Sequence, residues 1–400
     1  MSSYGLEEEN AAHPAPEQEQ EESAIKTWDD LDIETNILRS IYAYGFENPS
    51  DIQKKAIPPI KAKRDLIAQA QSGTGKTGAF VTGVLSHIDP AAKTTQAIVL
   101  APTHELVQQI YSVFCNLSTF IEGLNIRTMV GGTAVMDEMQ DMKTNIPQII
   151  VGCTGRVFDM MKRRAISTRD VKICVLDEAD EMLSVGFKDQ IYNIFQQLPS
   201  DVQIALFSAT MPPAILQLTE RFMRDPVRIT MKPEELNLDG IKQYFIAMHN
   251  DYDKIECLKD LFSRISISQT IIYANDVRRV RDLHQAMLDD GFSVCSIHRD
   301  MSKQERHDTI TKFRDGRFRT LISSNITARG IDVQQVNTVI NFDVPRSVDT
   351  YLHRIGRSGR WGRKGVAINF VTKSDIRQMK IIEQHYGVSI EEMPADLVFQ

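Results

Sequence analysis

The sequence lacks paired cysteines. Its five, at 115, 153, 174, 257 and 295, are odd in number, and no two have the close CxxC spacing of a zinc site. A structural zinc or a disulfide framework is therefore not expected. The pattern suits reduced thiols in a cytoplasmic protein, with the nucleus as an alternative compartment. Long hydrophobic runs are missing too: no stretch reaches the ~18 apolar residues of a membrane span. The first residues lack a signal-peptide pattern, so neither a membrane nor export is expected. There is no excess of basic charge; the formal net charge is −7. That total misleads, because residues 1–26 hold seven Glu and one Lys, which leaves the remaining 374 residues near −1. Local basic surfaces, and so nucleic-acid binding, are not excluded. No repeat of fixed short period is present.

What is there exceeds one ordinary core. A chain of 400 residues points to two domains of roughly 150–200 residues each. A composition of 42% apolar and 25% charged residues is that of a globular protein. Residues 1–26, rich in Glu, Gln and Pro, bury too little to offset the entropy of ordering and read as a disordered tail. Beyond them, short aliphatic runs recur: "RDLIAQA", "QAIVLAP", "QIIVGC", "KICVLDEA", "QIALFSA". Stretches of helical spacing lie between most of them, such as "HELVQQIYSVFCNLSTFI" with Leu106, Ile110, Val113, Phe114 and Leu117. Strands alternating with helices imply a parallel sheet with crossover helices, and ligands at the carboxyl ends of the strands. Residues 231–240, "MKPEELNLDG", break the rhythm and read as a linker. Alternation resumes with "KQYFIAM", "QTIIYAN", "FSVCSIH", "RTLISSN", "TVINFD" and "GVAINFV". The expected organisation is two α/β domains, 27–230 and 241–400.

"LIAQAQSGTGKTGAF" (66–80) reads as strand, glycine-rich loop and helix start. It fits a phosphate loop ending in Gly-Lys-Thr, with Ala70 at the place of the generic first glycine. Gly73 and Gly75 allow backbone conformations that turn N–H groups inward on phosphates, and Ala70, Gln71, Ser72 and Thr74 are counted with them as loop residues that bind the nucleotide. Lys76 reaches the β- and γ-phosphates, and Thr77 offers a hydroxyl to Mg²⁺. "ICVLDEAD" then supplies the acidic partner at a second strand end. Asp177 is expected on Mg²⁺ and Glu178 as the base for the attacking water.

The run Asp177-Glu178-Ala179-Asp180, with the phosphate loop and the ordered strings that follow, resembles the DEAD-box RNA helicases, in the group of translation initiation factor 4A and its exon-junction relative. The resemblance spans about Trp28 to Pro394 and implies two tandem RecA-like domains. It further implies ATP and Mg²⁺ as cofactors and single-stranded or duplex RNA as the substrate. "GFENPSDIQ" (45–53) looks like the adenine-reading motif, where the Gln53 amide matches the N6/N7 edge. Trp28 stands where the family usually has Phe beside the base. "SAT" (208–210) supplies Ser208 and Thr210, which with Asp180 and His353 couple nucleotide to domain closure. Asp332 is implied on the ribose. "HRIGRSGR" (353–360) supplies Arg357 and Arg360 for the γ-phosphate. Thr103, His104, Gly131, Gly132, Arg156, Arg299 and Asn325 are implied on the RNA side.

The departures from the family pattern gather on that RNA side. "PTHELV" has His104 for an arginine and Val107 for an alanine. "CTGR" has Cys153 and Thr154 where Thr-Pro is usual. "HRD" has Arg299 for a glycine, and "SSN" has Asn325 for an aspartate followed by Thr327. Two readings follow. One is a divergent, working helicase that unwinds locally. The other is an ATP-binding paralogue with weakened RNA coupling, which acts as a nucleotide-gated scaffold for protein partners. In either, a monomer with protein partners of its core is implied, without DNA.

Overall fold

The computed structural model describes residues 25–70, 73–132, 134–184, 186–230, 241–264, 269–327, 336–358 and 365–394. Among them are two parallel sheets of seven strands each. The first contains β1 (Leu66–Gln69), β2 (Ala97–Ala101), β3 (Ile126–Met129), β4 (Ile149–Cys153), β5 (Ile173–Asp177), β6 (Gln203–Ser208) and β7 (Val227–Thr230). The second contains β8 (Ile241–Ala247), β9 (Gln269–Tyr273), β10 (Val294–Ile297), β11 (Thr320–Ser323), β12 (Val336–Asn341), β13 (Gly365–Val371) and β14 (Glu391–Glu392).

Helices of the first half are α1 (Thr35–Ala43), α2 (Asp51–Lys61), α3 (Lys76–Leu85), α4 (His104–Leu117), α5 (Val135–Thr144), α6 (Thr154–Lys162), α7 (Ala179–Ser184), α8 (Lys188–Gln196) and α9 (Pro213–Phe222). Those of the second are α10 (Asp253–Arg264), α11 (Val277–Asp289), α12 (Lys303–Arg314), α13 (Val348–Ile355) and α14 (Ile376–Tyr386).

The strand orders are β3-β4-β2-β5-β6-β1-β7 and β10-β11-β9-β12-β13-β8-β14. The second is the first with each number raised by seven. Repetition thus exists in topology where the sequence has no repeat. The central strands are buried on both faces, which is why they read as continuous aliphatic runs. Separate clusters fill the two faces of the first sheet; Val99, Val151 and Val175 lie in one, Ile98, Ile150 and Leu176 in the other. The five sequence-expected strands of the first half all form. Strands β3 and β7, at the sheet edges, were not expected. Their sequences, IRTM and VRIT, are half-exposed and carry arginine, so they lack the aliphatic signature. All five cysteines are free. No helix among the described residues is long and apolar enough to cross a membrane. The expected linker, 231–240, and tail residues 1–24 lie outside the described residues.

Candidate active site

The phosphate loop leaves β1 and enters α3 at Gly75, whose φ of +103° is left-handed. A Cβ there would lie 2.6 Å from Ser50 Oγ and 2.9 Å from Gln53 Nε2, so both conformation and space demand glycine. Gln53 is buried and tied at both ends. Its oxygen accepts from the Ser50 N–H at 2.7 Å, and its Nε2 donates to the Gly75 carbonyl at 3.2 Å. Gln53 therefore braces the loop against the N-terminus of α2. Trp28 is fully buried and stacks on Phe46, with centroids 5.9 Å apart and planes at 11°. Phe46 is only half-buried, and its ring edge borders Gly78. The aromatic surface next to α3 is thus Phe46, with Trp28 one ring behind it. Sequence reasoning passed over Phe46, although it sits in the quoted "GFENPSDIQ".

Lys76 opens α3 and is 5% exposed. Its ammonium lies 3.6 Å from Glu178 Oε1, beyond hydrogen-bond reach, and has no hydrogen-bond partner among the described residues. Asp177 ends β5, and its Oδ1 accepts from the Glu178 N–H at 3.0 Å. Burial pushes the Asp177 carboxyl up to about 7, the Lys76 ammonium opposing and the Glu178 carboxylate adding to the shift. Glu178 has φ +53°, a conformation that costs a non-glycine residue about 1 kcal/mol and is found at functional turns. A buried carboxylate held this far up is short of positive charge. The Asp177 carboxylate and the Thr77 hydroxyl at the start of α3 are oxygen donors of the kind that suit Mg²⁺.

Asp180 is the junction of the expected coupling residues. Its N–H donates to Ser208 Oγ at 3.2 Å, and its Oδ2 accepts from the Thr210 hydroxyl at 2.8 Å. The same oxygen lies 3.3 Å from Nε2 of His353, on α13 of the second half. Glu178, Asp180 and His353 have ligand atoms within 4.8 Å of one another. Since Asp180 is already bonded to Thr210 and His353, this trio reads as a bridge between the halves rather than as a metal cage. Arg357 is buried, and its Nε donates to the His353 carbonyl at 3.2 Å. Gln71, Ser72, Asp332 and Arg360 lie outside the described residues.

The RNA-side candidates divide. The His104 ring lies beside Gly131, whose added Cβ would be 3.9 Å from His104 Nε2. Gly132 follows with φ +88°. Thr103 caps α4, its hydroxyl accepting from the Leu106 N–H at 3.3 Å. Arg299 is 83% exposed and 3.7 Å from Asp300. Two further candidates also have partners inside their own halves. The Arg156 guanidinium is nearly buried in an ion pair with Glu138 of α5, so its charge is matched inside the first half. The Asn325 amide oxygen accepts from Arg354, within the second half. Sequence reading also missed Arg306 on α12, which meets Glu105 of α4 at 3.3 Å, a second link between the halves.

The family model described as DEAD/DEAH box helicase matches residues 50–218, and that of the helicase conserved C-terminal domain matches 253–362. The chain belongs to the DEAD/DEAH box helicases. This helicase chain is 49% identical to Eukaryotic initiation factor 4A of Caenorhabditis elegans over 94% of each protein. Its fold is shared with Saccharomyces cerevisiae Dbp5 bound to RNA and ADP BeF3, at TM-score 0.86 and 36% identity, covering 93% of this chain and 96% of that one. A point variant of Dbp5 bound to Nup159, a Gle1 variant, IP6 and ADP gives only 0.66, at 34% identity over 91% and 96%. In the DEAD-box chain the halves meet through the Asp180–His353 and Glu105–Arg306 contacts.

Proposed function

We propose that the chain is an ATP-dependent RNA helicase that hydrolyses ATP with water in the cleft between its halves and opens short RNA duplexes locally. One observation carries this reading. A buried Lys76–Glu178 pair and a His353 reaching Asp180 from the other half meet at one cleft. The relatives bearing the name ATP-dependent RNA helicase support it at about half identity.

Lys76 and the loop N–H groups after Ala70, whose own N–H donates to the Ser208 carbonyl at 3.0 Å, hold the phosphates, and the rigid Gln53 brace keeps that loop in place for the base to pack beside Phe46. A bound Mg²⁺, held by Thr77 and Asp177, would neutralise phosphate charge. Glu178 accepts the proton of the attacking water, its strained backbone aiming the carboxylate into the cleft. Arg357 and Arg360 reach the γ-phosphate from the second half; a planar, permanently charged guanidinium suits the equatorial oxygens of the transferring group. Asp332 takes the ribose. Asp180, Ser208, Thr210 and His353 transmit occupancy of the site into closure. Closure aligns Thr103, His104, Gly131, Gly132 and Arg299 along one RNA strand, gripped by its phosphates and so without regard to sequence. The cellular setting is cytoplasmic translation initiation, with the core binding protein partners as a monomer.

A specific observation favours a second reading, in which RNA coupling is weak. His104 replaces an arginine, and the Arg156 charge is matched by Glu138, so two cationic contacts are weakened. ATP hydrolysis by the full chain, with and without single-stranded RNA over a salt series, separates the two. Stimulation of ~10-fold or more at low salt, declining as salt rises, supports the helicase. Turnover that RNA leaves unchanged supports the scaffold.

A further inference from the structure

Arg354 is fully buried in the second half. A guanidinium has five N–H donors, and here all are used. Nε and one Nη donate to the Asn325 amide oxygen at 2.9 and 2.6 Å. The remaining three reach the Asn275 oxygen at 2.8 Å, the Asn341 oxygen at 3.1 Å and the Asp343 carbonyl at 2.7 Å. The Tyr273 ring lies 5.1 Å away. Every one of these acceptors is uncharged. The Asp343 carboxylate is engaged by Lys254 and Arg279 at 3.5 and 2.7 Å. Among the described residues Arg354 has no ion-pair partner. Burial pushes the guanidinium down to about 10, so it remains charged at neutral pH.

The position of this caged cation matters. Arg354 follows His353, which touches Asp180 of the first half, and precedes Arg357 by less than one helical turn. Whatever anchors Arg354 therefore orients the cleft-facing side of α13. Asn325 provides two of the five anchors from a short 3₁₀ turn (Asn325–Thr327) just after β11. An aspartate, as in the resembling family, could accept the same two N–H groups and would also cancel the charge. Asparagine keeps the geometry and leaves the charge in place.

We propose that Asn325 is a positioning residue and not an RNA contact: it holds Arg354, and through it α13, so that His353 and Arg357 face the cleft, and its neutrality leaves a buried positive charge next to His353 uncancelled. The inference rests on the ATP hydrolysis reading above.

The test compares full-length N325A and N325D with the unsubstituted chain at saturating single-stranded RNA. Readouts are kcat, KM for ATP over a salt series, and thermal midpoint without nucleotide. N325A is expected to lower kcat about tenfold, because the arginine helix loses its alignment. N325D is expected to keep kcat within about twofold and to raise KM about threefold at low salt, the gap closing as salt rises. The expected order of midpoints is N325D, unsubstituted, N325A. A lower midpoint for N325A with unchanged kcat per folded molecule would reveal a merely structural role and overturn the proposal. Reduced RNA affinity of N325A with normal kcat at saturating RNA would restore Asn325 to the RNA track and overturn it as well. Should the unsubstituted chain fail to hydrolyse ATP, the function reading falls first, and equal midpoints in all three proteins would then also remove the Asn325–Arg354 anchor.

Discussion

Two lysines occupy matching places in the two sheets, and they have opposite fates. Lys76 opens α3 after β1; Lys254 is the second residue of α10 after β8, the strand at the same place in the second sheet. Each faces an acidic residue at or just beyond the end of a matching strand, Asp177 on β5 and Asp343 past β12. Lys76 lies 3.6 Å from Glu178 and, among the described residues, makes no hydrogen bond. Lys254 is 3.1 Å from Asp251, 3.5 Å from Asp343 and 3.9 Å from Asp375. The first lysine is left short of counter-charge among the described residues. The second has its counter-charge built in. The same topology therefore carries one under-compensated lysine and one internally satisfied copy, and under the proposed function the first is the nucleotide site while the second half acts through α13.

That contrast can be broken at several points. The largest effect is expected from E178Q, which keeps the shape of the site and removes the base. ATP hydrolysis should fall by at least about 10²-fold while ATP binding persists. Single-turnover hydrolysis together with equilibrium binding checks both halves of the statement, and loss of binding would count against the assigned role. Next is K254M. It breaks a buried ion cluster without touching the cleft, so it should cost roughly 2–3 kcal/mol of stability. Denaturant unfolding measures that, and kcat per folded molecule should stay near the original value. R306A removes the Glu105 link between the halves. It should weaken RNA-stimulated turnover about tenfold and leave turnover without RNA nearly unchanged. The smallest effect is expected from H104R. Restoring a full charge should steepen the salt dependence of RNA binding by about one unit and tighten binding at low salt. An unchanged slope would place residue 104 off the RNA track.

The readable part of the molecule is contiguous in sequence. Strand, glycine loop and helix follow one another from Leu66 to Leu85, and the run ending at Asp177 is a buried strand that stops in carboxylates. Both follow from local rules of burial and backbone freedom. The central strands of both sheets were equally legible, because burial on two faces leaves uninterrupted aliphatic runs. Edge strands β3 and β7 were not, since a half-exposed strand tolerates arginine. Charge pairing was hidden altogether. Nothing local to Arg156 announces Glu138, and nothing near Arg306 announces Glu105, because each pair is brought together by the fold. The internal partners of Arg156 and Asn325 were likewise invisible in the sequence string. The Lys254 cluster escaped notice for the same reason, and only the repeated strand order reveals what it corresponds to.

The most direct measurement is the stoichiometry of a non-hydrolysable Mg·ATP analogue on the full chain by titration calorimetry, repeated with K76A and K254M. The account expects one nucleotide per chain, lost in K76A and retained in K254M. Two nucleotides per chain, or binding that survives K76A and disappears in K254M, would contradict it.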